Sequence, residues 1–511
     1  MTSGFDAQRS SWVRGDGKIS PASMSKPGFE LDWSFSFDNT PRQLISTTPP
    51  ALLDFYIGYR GFRALGFIGA SSDRIITLDV DLGRVEWQKA LPAETSPQGT
   101  LPCPGGMTSA VTRPTSFDYP AAFFGRGAGR STPAKSGVGE PYEGAVTLKT
   151  PPPPRPAPAP KPSAAAPASN PFAPRIQWIL GLTGDGKLHA LYVSNGDQPD
   201  APIQFLRRGA KAHGLIAVDN FVYAATSNGC GDTENGVWVL DLESKKVRNW
   251  KAPAGQGIVG TAGPAARPDG TFFATASNGQ LVALAPRTLD VRASYRTGGP
   301  EFTTSPLVFE FDGKDYVAAA TNDGRLHVFD TNDLAKGPLA TSAAYSAPDY
   351  QAGALASWQD PAGVRWILAP AAGNIATASA GFRSSQGEIR NGAVVAWKLT
   401  RKNGALTFEP GWVSRDLIAP HSPIIVNGVV FLLSSGEFRS NDPQLSAAER
   451  ARRSSPAVVY AVDGLTGKEL WNSGTNLKSF VHSGGLAAGG GRIYVATHDG
   501  VQYAFGFPFE R

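Results

Sequence analysis

One stretch constrains the fold more than any other: AVDGLTGKELW, from Ala461 to Trp471. Val459, Ala461 and Asp463 alternate with their neighbours at the period of a strand, Asp463 can bond the backbone of a following turn, and Gly467 tolerates a left-handed conformation. Leu470 and Trp471 then resume apolar pairing, which gives strand, tight turn, strand. A hairpin of this size cannot bury its own apolar face. It requires stacked copies. Gly83 and Trp87 repeat the spacing of Gly467 and Trp471, and weaker copies run along most of the chain.

At 511 residues the chain exceeds the usual single core, and its 58 glycines and 42 prolines, with few helix-period runs, favour a turn-rich all-β protein. The copies divide into eight units. The first covers residues 46–92; the second opens at Gly105 to Pro114 and resumes at Arg175 to Leu182. Units three to six open at HGLIAVDN, TAGPAARPDG, TTSPLVFEF and AGALASWQD, and the seventh pairs HSPIIVNGVVFLLSS with AVVYAVDGLTGKELW. The eighth, HSGGLAAGGGRIYVATHDG with VQYAFGF, has only three strands. Leu31 to Phe37, an alternating strand with no neighbour, supplies the fourth. The expectation is one domain over residues 1–511, an eight-bladed β-propeller of four-stranded blades closed by this N-terminal strand.

Blade two is interrupted by an insertion at residues 117–174, which includes PPPPRPAPAPKPSAAAPASNPFAP. Proline at this density supplies neither ladder donors nor a packed core, so a stiff, solvated polyproline-like segment is expected. It reads as a surface loop or as an arm that docks a protein partner.

GFDAQRSSWVRGDGKISP, FELDWSFSF and above all AVDGLTGKELW resemble the PQQ-type propeller superfamily, which includes quinoprotein alcohol dehydrogenases and also cofactor-free scaffolds such as the outer-membrane assembly lipoprotein. The resemblance covers nearly the whole chain outside the proline insertion. It implies the propeller, an extracytoplasmic (periplasmic or secreted) location and, for the dehydrogenase members, PQQ with calcium. Those enzymes place two adjacent, disulfide-linked cysteines against the quinone. Cys103 and Cys230 are not adjacent, and the family's Glu, Asn and Asp calcium ligands and catalytic Asp match no position here.

Aligning the units on the start of the first strand brings another set together. His421 of HSP then matches His482, His213, Thr48, Thr108 and Thr304, while Ala262 and Ala352 (beside Gln351) fill the place in units four and six. Three of the six histidines thus share one position of the repeat. Imidazole there suits a divalent transition metal or acid-base work near neutral pH. The expected function is an enzyme, a metal- or histidine-dependent oxidoreductase or lyase, with His213, His421 and His482 as catalytic residues and metal ligands. The alternatives are a PQQ-dependent alcohol or sugar dehydrogenase, a non-catalytic scaffold, and channel histidines satisfied by backbone carbonyls and water. His189, His327 and His498 read as packing or turn residues.

The same face carries long loops with Arg383, Glu388, Arg390, Glu437 and Arg439. With Thr48, Thr108, Thr304 and Gln351, the loop residues Arg383, Glu388 and Glu437 are expected to line a pocket for a small-molecule substrate or cofactor. Cys103 and Cys230 lie on loops of that face. They are two thiols or one disulfide clamping blades two and three. The net charge of +5, without a basic cluster among aromatics, argues against nucleic acid. No apolar run has the length of a membrane span, and the first residues show no basic n-region or apolar h-region of a signal peptide.

Overall fold

The computed structural model describes residues 6–58, 61–93, 99–114, 177–348, 350–373, 381–382, 386–440, 442 and 444–508. The proline-rich insertion and Arg383 lie outside them. Eight antiparallel sheets close a ring. Among the described residues six have four strands in simple sequential order apart from the closing blade, one has five and one has three. The first strands of successive blades lie side by side around the axis, including Ala51–Gly58 of blade one against Leu486–Gly489 of blade eight. Blade eight takes Glu30–Ser36 as its outer strand, paired with Val501–Gly506, so the N-terminal closure is as expected. In blade two the inner strand is reduced to a bridge between Thr112 and Leu180.

Strand alternation explains the core. In Val429–Ser434, Val429, Phe431 and Leu433 face blade eight, while Val430 and Leu432 face blade six. Both faces are buried, and each of the eight inter-blade interfaces encloses one apolar cluster. Each Phe or Leu so enclosed contributes about 1.5–3 kcal/mol.

The glycine and tryptophan of the repeat join neighbouring blades. Trp412 of blade six donates its indole N–H to the Gly464 carbonyl in the turn of blade seven at 2.8 Å, and its ring covers Gly467. A Cβ on Gly467 (φ 72°) would lie 2.8 Å from that ring. Trp87 repeats the arrangement on blade two, donating to the Val193 carbonyl at 2.9 Å over Gly196, and Trp33 does so on blade one, donating to Val80 over Gly83. The motif is therefore a blade-to-blade fastening.

The N-terminal segment crosses the centre of the ring. The carbonyls of Ala7, Gln8, Ser10 and Ser11 accept from Ala266, Val308, Ser357 and Ile425, one in each first strand of blades four to seven, at 2.7–2.9 Å. Trp12–Val13 then adds a fifth, parallel strand to blade seven. Inner-strand N–H groups otherwise turned toward the axis are thereby satisfied. Asp16 bonds Gly491 and Ile19 bonds Asn427, both in turns joining first to second strands. The segment therefore fills the axis and leaves on the face opposite the one from which the first strands begin.

Candidate functional site

The start of each first strand was expected to gather the histidines, and the ring places them in two groups. His421 and His482 sit in the entry loops ahead of Ile424–Val426 and Leu486–Gly489. His213 instead lies within Lys211–Val218, opposite Ala225.

His421 and His482 meet at the junction of blades seven and eight, where the organising residue is Glu437. It lies in the loop after Val429–Ser434 with its side chain 2% exposed. Glu437 Oε1 is 2.7 Å from His482 Nδ1, Arg450 Nη2 donates to Oε1 at 3.2 Å, and Arg439 Nε lies 3.4 Å from Oε2. Burial alone would raise this carboxyl. The bond to His482 and the charge of Arg439 instead hold it at about 2. Arg450 comes from the helix Ala447–Arg453, which Ser446 caps by accepting from Glu449 N at 3.1 Å. A charged surface helix carries no sign in its sequence of which arginine turns inward.

His421 is pushed the other way. Burial, then Arg439, lowers its imidazole to about 3, and its Nε2 is enclosed without a hydrogen-bond partner. It is a neutral imidazole. Tyr350, also missed from sequence, donates to the Pro420 carbonyl at 2.8 Å beneath the Arg439 guanidinium. His482 lines a shallow depression with Leu44, Ser46, Thr47, Ser483, Thr497 and His498 that has no room for a water molecule.

His213 does not join this group. Burial, then Lys211 and Arg9, lowers it to about 4, and its Nε2 is also unmatched. Among the described residues no three His, Cys, Asp or Glu side chains form a group that could hold a metal ion. The aligned threonines hold backbone: Thr48 accepts from Gly69 N at 3.0 Å, Thr304 from Ala320 N at 2.9 Å, and Thr108 both accepts from Ala212 N and donates to its carbonyl. Gln351 is exposed, and Glu388 pairs with Arg390 at the surface. His189 bonds Gln198, His327 bonds Thr321 and Thr341, and His498 bonds the Leu44 carbonyl while stacking on Phe480.

Cys103 and Cys230 form a disulfide across 127 residues, linking the loop that enters blade two to the loop between the second and third strands of blade three. This is a clamp between loops, not a pair of adjacent cysteines. With Glu437 already held by an imidazole and two arginines, the residues present do not fit a quinone with its calcium ion.

No protein-family model and no curated protein matches the chain. Solved structures do, at low identity. The quinohemoprotein alcohol dehydrogenase from Comamonas testosteroni matches with a TM-score of 0.54 and 12% identity over 100% of this chain and 80% of its own. A quinohemoprotein alcohol dehydrogenase from Pseudomonas putida HK5 gives 0.54 and 13% over the same shares. The computationally designed protein Ika8 gives 0.52 and 12% over 94% of this chain and 100% of its own. The likeness establishes the fold, that of the PQQ-like eight-bladed propellers, and a designed protein shares it with the enzymes. Among the described residues no helix is long and apolar enough to cross a membrane.

Proposed function

We propose that the junction of blades seven and eight binds a small molecule and that His482 moves a proton on it. The observation that carries this reading is the 2.7 Å contact between His482 Nδ1 and a buried, ionised Glu437. A carboxylate on Nδ1 fixes the ring and its tautomer, leaving Nε2 as the working nitrogen. It also stabilises the imidazolium formed when that nitrogen takes a proton. Arg439 and Arg450 hold the carboxylate in place. Neutral His421 stands beside the pair.

The reaction class that fits is acid-base chemistry of the kind a lyase performs, in which the imidazole takes a proton and returns it within one turnover. The disulfide supports placing the protein in an oxidising compartment, periplasmic or secreted. The test is a thermal-shift screen of alcohols, sugars and small organic acids, followed by turnover assays on the hits. His482→Asn should lower kcat about 10²–10⁴-fold. Glu437→Gln should lower kcat less and displace the pH profile. Turnover that is indifferent to both substitutions refutes the assignment.

A further inference from the structure

A second place gathers ionisable groups on the first strand of blade three. The first strand of blade three begins Lys211, Ala212, His213. Alternation puts Lys211 and His213 on one face, while the backbone of Ala212 between them is held on both sides by the Thr108 hydroxyl at 3.1 and 2.7 Å. Beyond them Gly214 presses on Gly263, so tightly that a Cβ would lie 2.5 Å from the Gly263 Cα. Arg9, 1% exposed, lies against the same backbone, donating to the Gly214 carbonyl at 2.8 Å and to Pro264 at 2.9 Å.

The charges that act on the imidazole are of one sign, while the buried carboxyl of Asp6 acts on Arg9. The groups that act on His213 are Lys211 and Arg9, both cationic. Lys211 is half-buried, burial is all that shifts its ammonium, and among the described residues its Nζ makes no hydrogen bond or ion pair. His213 Nε2 is enclosed and unmatched. Lysine is seldom buried without a partner, because a desolvated ammonium without an acceptor costs several kcal/mol. Here a lysine and an imidazole share that condition side by side, held by a backbone that leaves them little freedom to move.

We propose that Lys211 and His213 form an anion subsite on the innermost strand of blade three, which takes the carboxylate or phosphate of a small molecule. The ammonium supplies the charge and up to three donors, and the neutral imidazole supplies a directed N–H; both are charge-assisted bonds once the anion arrives. Arg9 adds positive potential from behind while keeping its own backbone bonds. The proposal is independent of His482, because no group is common to the two places.

The test titrates the full chain with inorganic phosphate and, separately, with acetate, by calorimetry. The two arms tell a phosphate site from a carboxylate site. One of them should bind wild type, and Lys211→Met should weaken that binding about tenfold or more. Lys211→Arg and the exposed-site control Lys468→Met should retain it. If neither anion binds wild type, or Lys211→Met binds as wild type does, the subsite is refuted. Should Lys211→Met fail to fold, wild type decides: trace pyridoxal 5′-phosphate with borohydride should label Lys211 ahead of Lys468, and inorganic phosphate should protect it. Equal labelling, or no protection, overturns the proposal.

Discussion

Blade three and the junction of blades seven and eight both bury ionisable side chains near the beginning of a first strand, but they stabilise them in different ways. At the junction one buried carboxylate is surrounded by an imidazole and two arginines, so the cations there share a counter-charge. At blade three a lysine, an arginine and an imidazole lie together with no carboxylate acting on the lysine or the imidazole. The loops there are tied covalently, through Cys103 and Cys230. The junction thus holds itself by charge, whereas blade three is held by a covalent strap and leaves its charges for something else. The first arrangement suits a positioned proton-transfer group and the second suits an incoming anion.

The largest effect should come from the covalent strap. Replacing Cys103 and Cys230 together by Ser frees a long loop in the unfolded chain and should cost about 4–5 kcal/mol on the chain-entropy model. Dithiothreitol should lower the unfolding midpoint of wild type and leave the double variant unchanged. An unchanged wild-type midpoint would show that blade three is held otherwise.

The ionic side should respond to acid and to one substitution. Glu437→Gln leaves Arg450 and Arg439 facing a neutral amide and should cost about 3 kcal/mol, part of it recovered by solvent at the more exposed Arg439. Because the folded carboxyl titrates at about 2 and the ordinary value is 4.5, its stabilisation is complete above pH 4.5 and is lost as pH falls toward 2. Urea midpoints between pH 5 and 2.5 should therefore fall more steeply in wild type than in Glu437→Gln. Parallel curves would mean the carboxylate is not what holds the junction.

Why the sequence disclosed one side of this contrast better than the other follows from what a repeat encodes. The blade pattern AVDGLTGKELW, its copy at Gly83 and Trp87, and the orphan strand at Leu31 to Phe37 are side-chain patterns, so the eight blades and their closure were legible. Aligning units placed His213, His421 and His482 at one position of the repeat, and the fold puts the first within a strand and the other two in entry loops. Aligning could not give their azimuth around the ring. Adjacent blades bring His421 and His482 to Glu437, while His213 belongs to a blade four units from His421. The N-terminal crossing was illegible for another reason: its bonds to Ala266, Val308, Ser357 and Ile425 are made by backbone carbonyls, which no side chain specifies. The aligned threonines mark strand starts, where a hydroxyl closes a backbone bond, and that role has the same signature as a binding position.

Acid should also expose blade three, in a different pH window. His213 has an ordinary pKa of 6.5 and titrates at about 4 in the fold, so the unfolded chain takes a proton that the native state refuses. Stability is therefore present above pH 6.5 and lost as pH falls toward 4, by on the order of 2 kcal/mol. His213→Asn should reduce the slope between pH 6.5 and 4.5 by that share, leaving the part that His421 and His327 add in the same window and the loss below pH 4.5 that belongs to Glu437. If the slope is unchanged, the imidazole is more open to solvent than its enclosed Nε2 indicates.

The smallest effect is the most discriminating, because its sign is opposite on the two sides. Lys211→Met keeps the length and apolar stem of the side chain and removes an ammonium that has no partner. It should raise stability by about 1 kcal/mol, since a half-buried cation is replaced by a group that prefers burial. The matching change at the junction, Arg450→Met, removes a cation that has a partner and should destabilise by leaving Glu437 short of a donor. Thermal midpoints of the two variants, measured in a buffer free of phosphate and carboxylates, should therefore move in opposite directions. Adding the anion that wild type binds should narrow the gap at blade three, because the ligand stabilises wild type and not Lys211→Met. A lysine kept at a cost in stability that a ligand then offsets is what a binding residue requires; if both variants fall, Lys211 is held by the fold and the contrast between the two sides is lost.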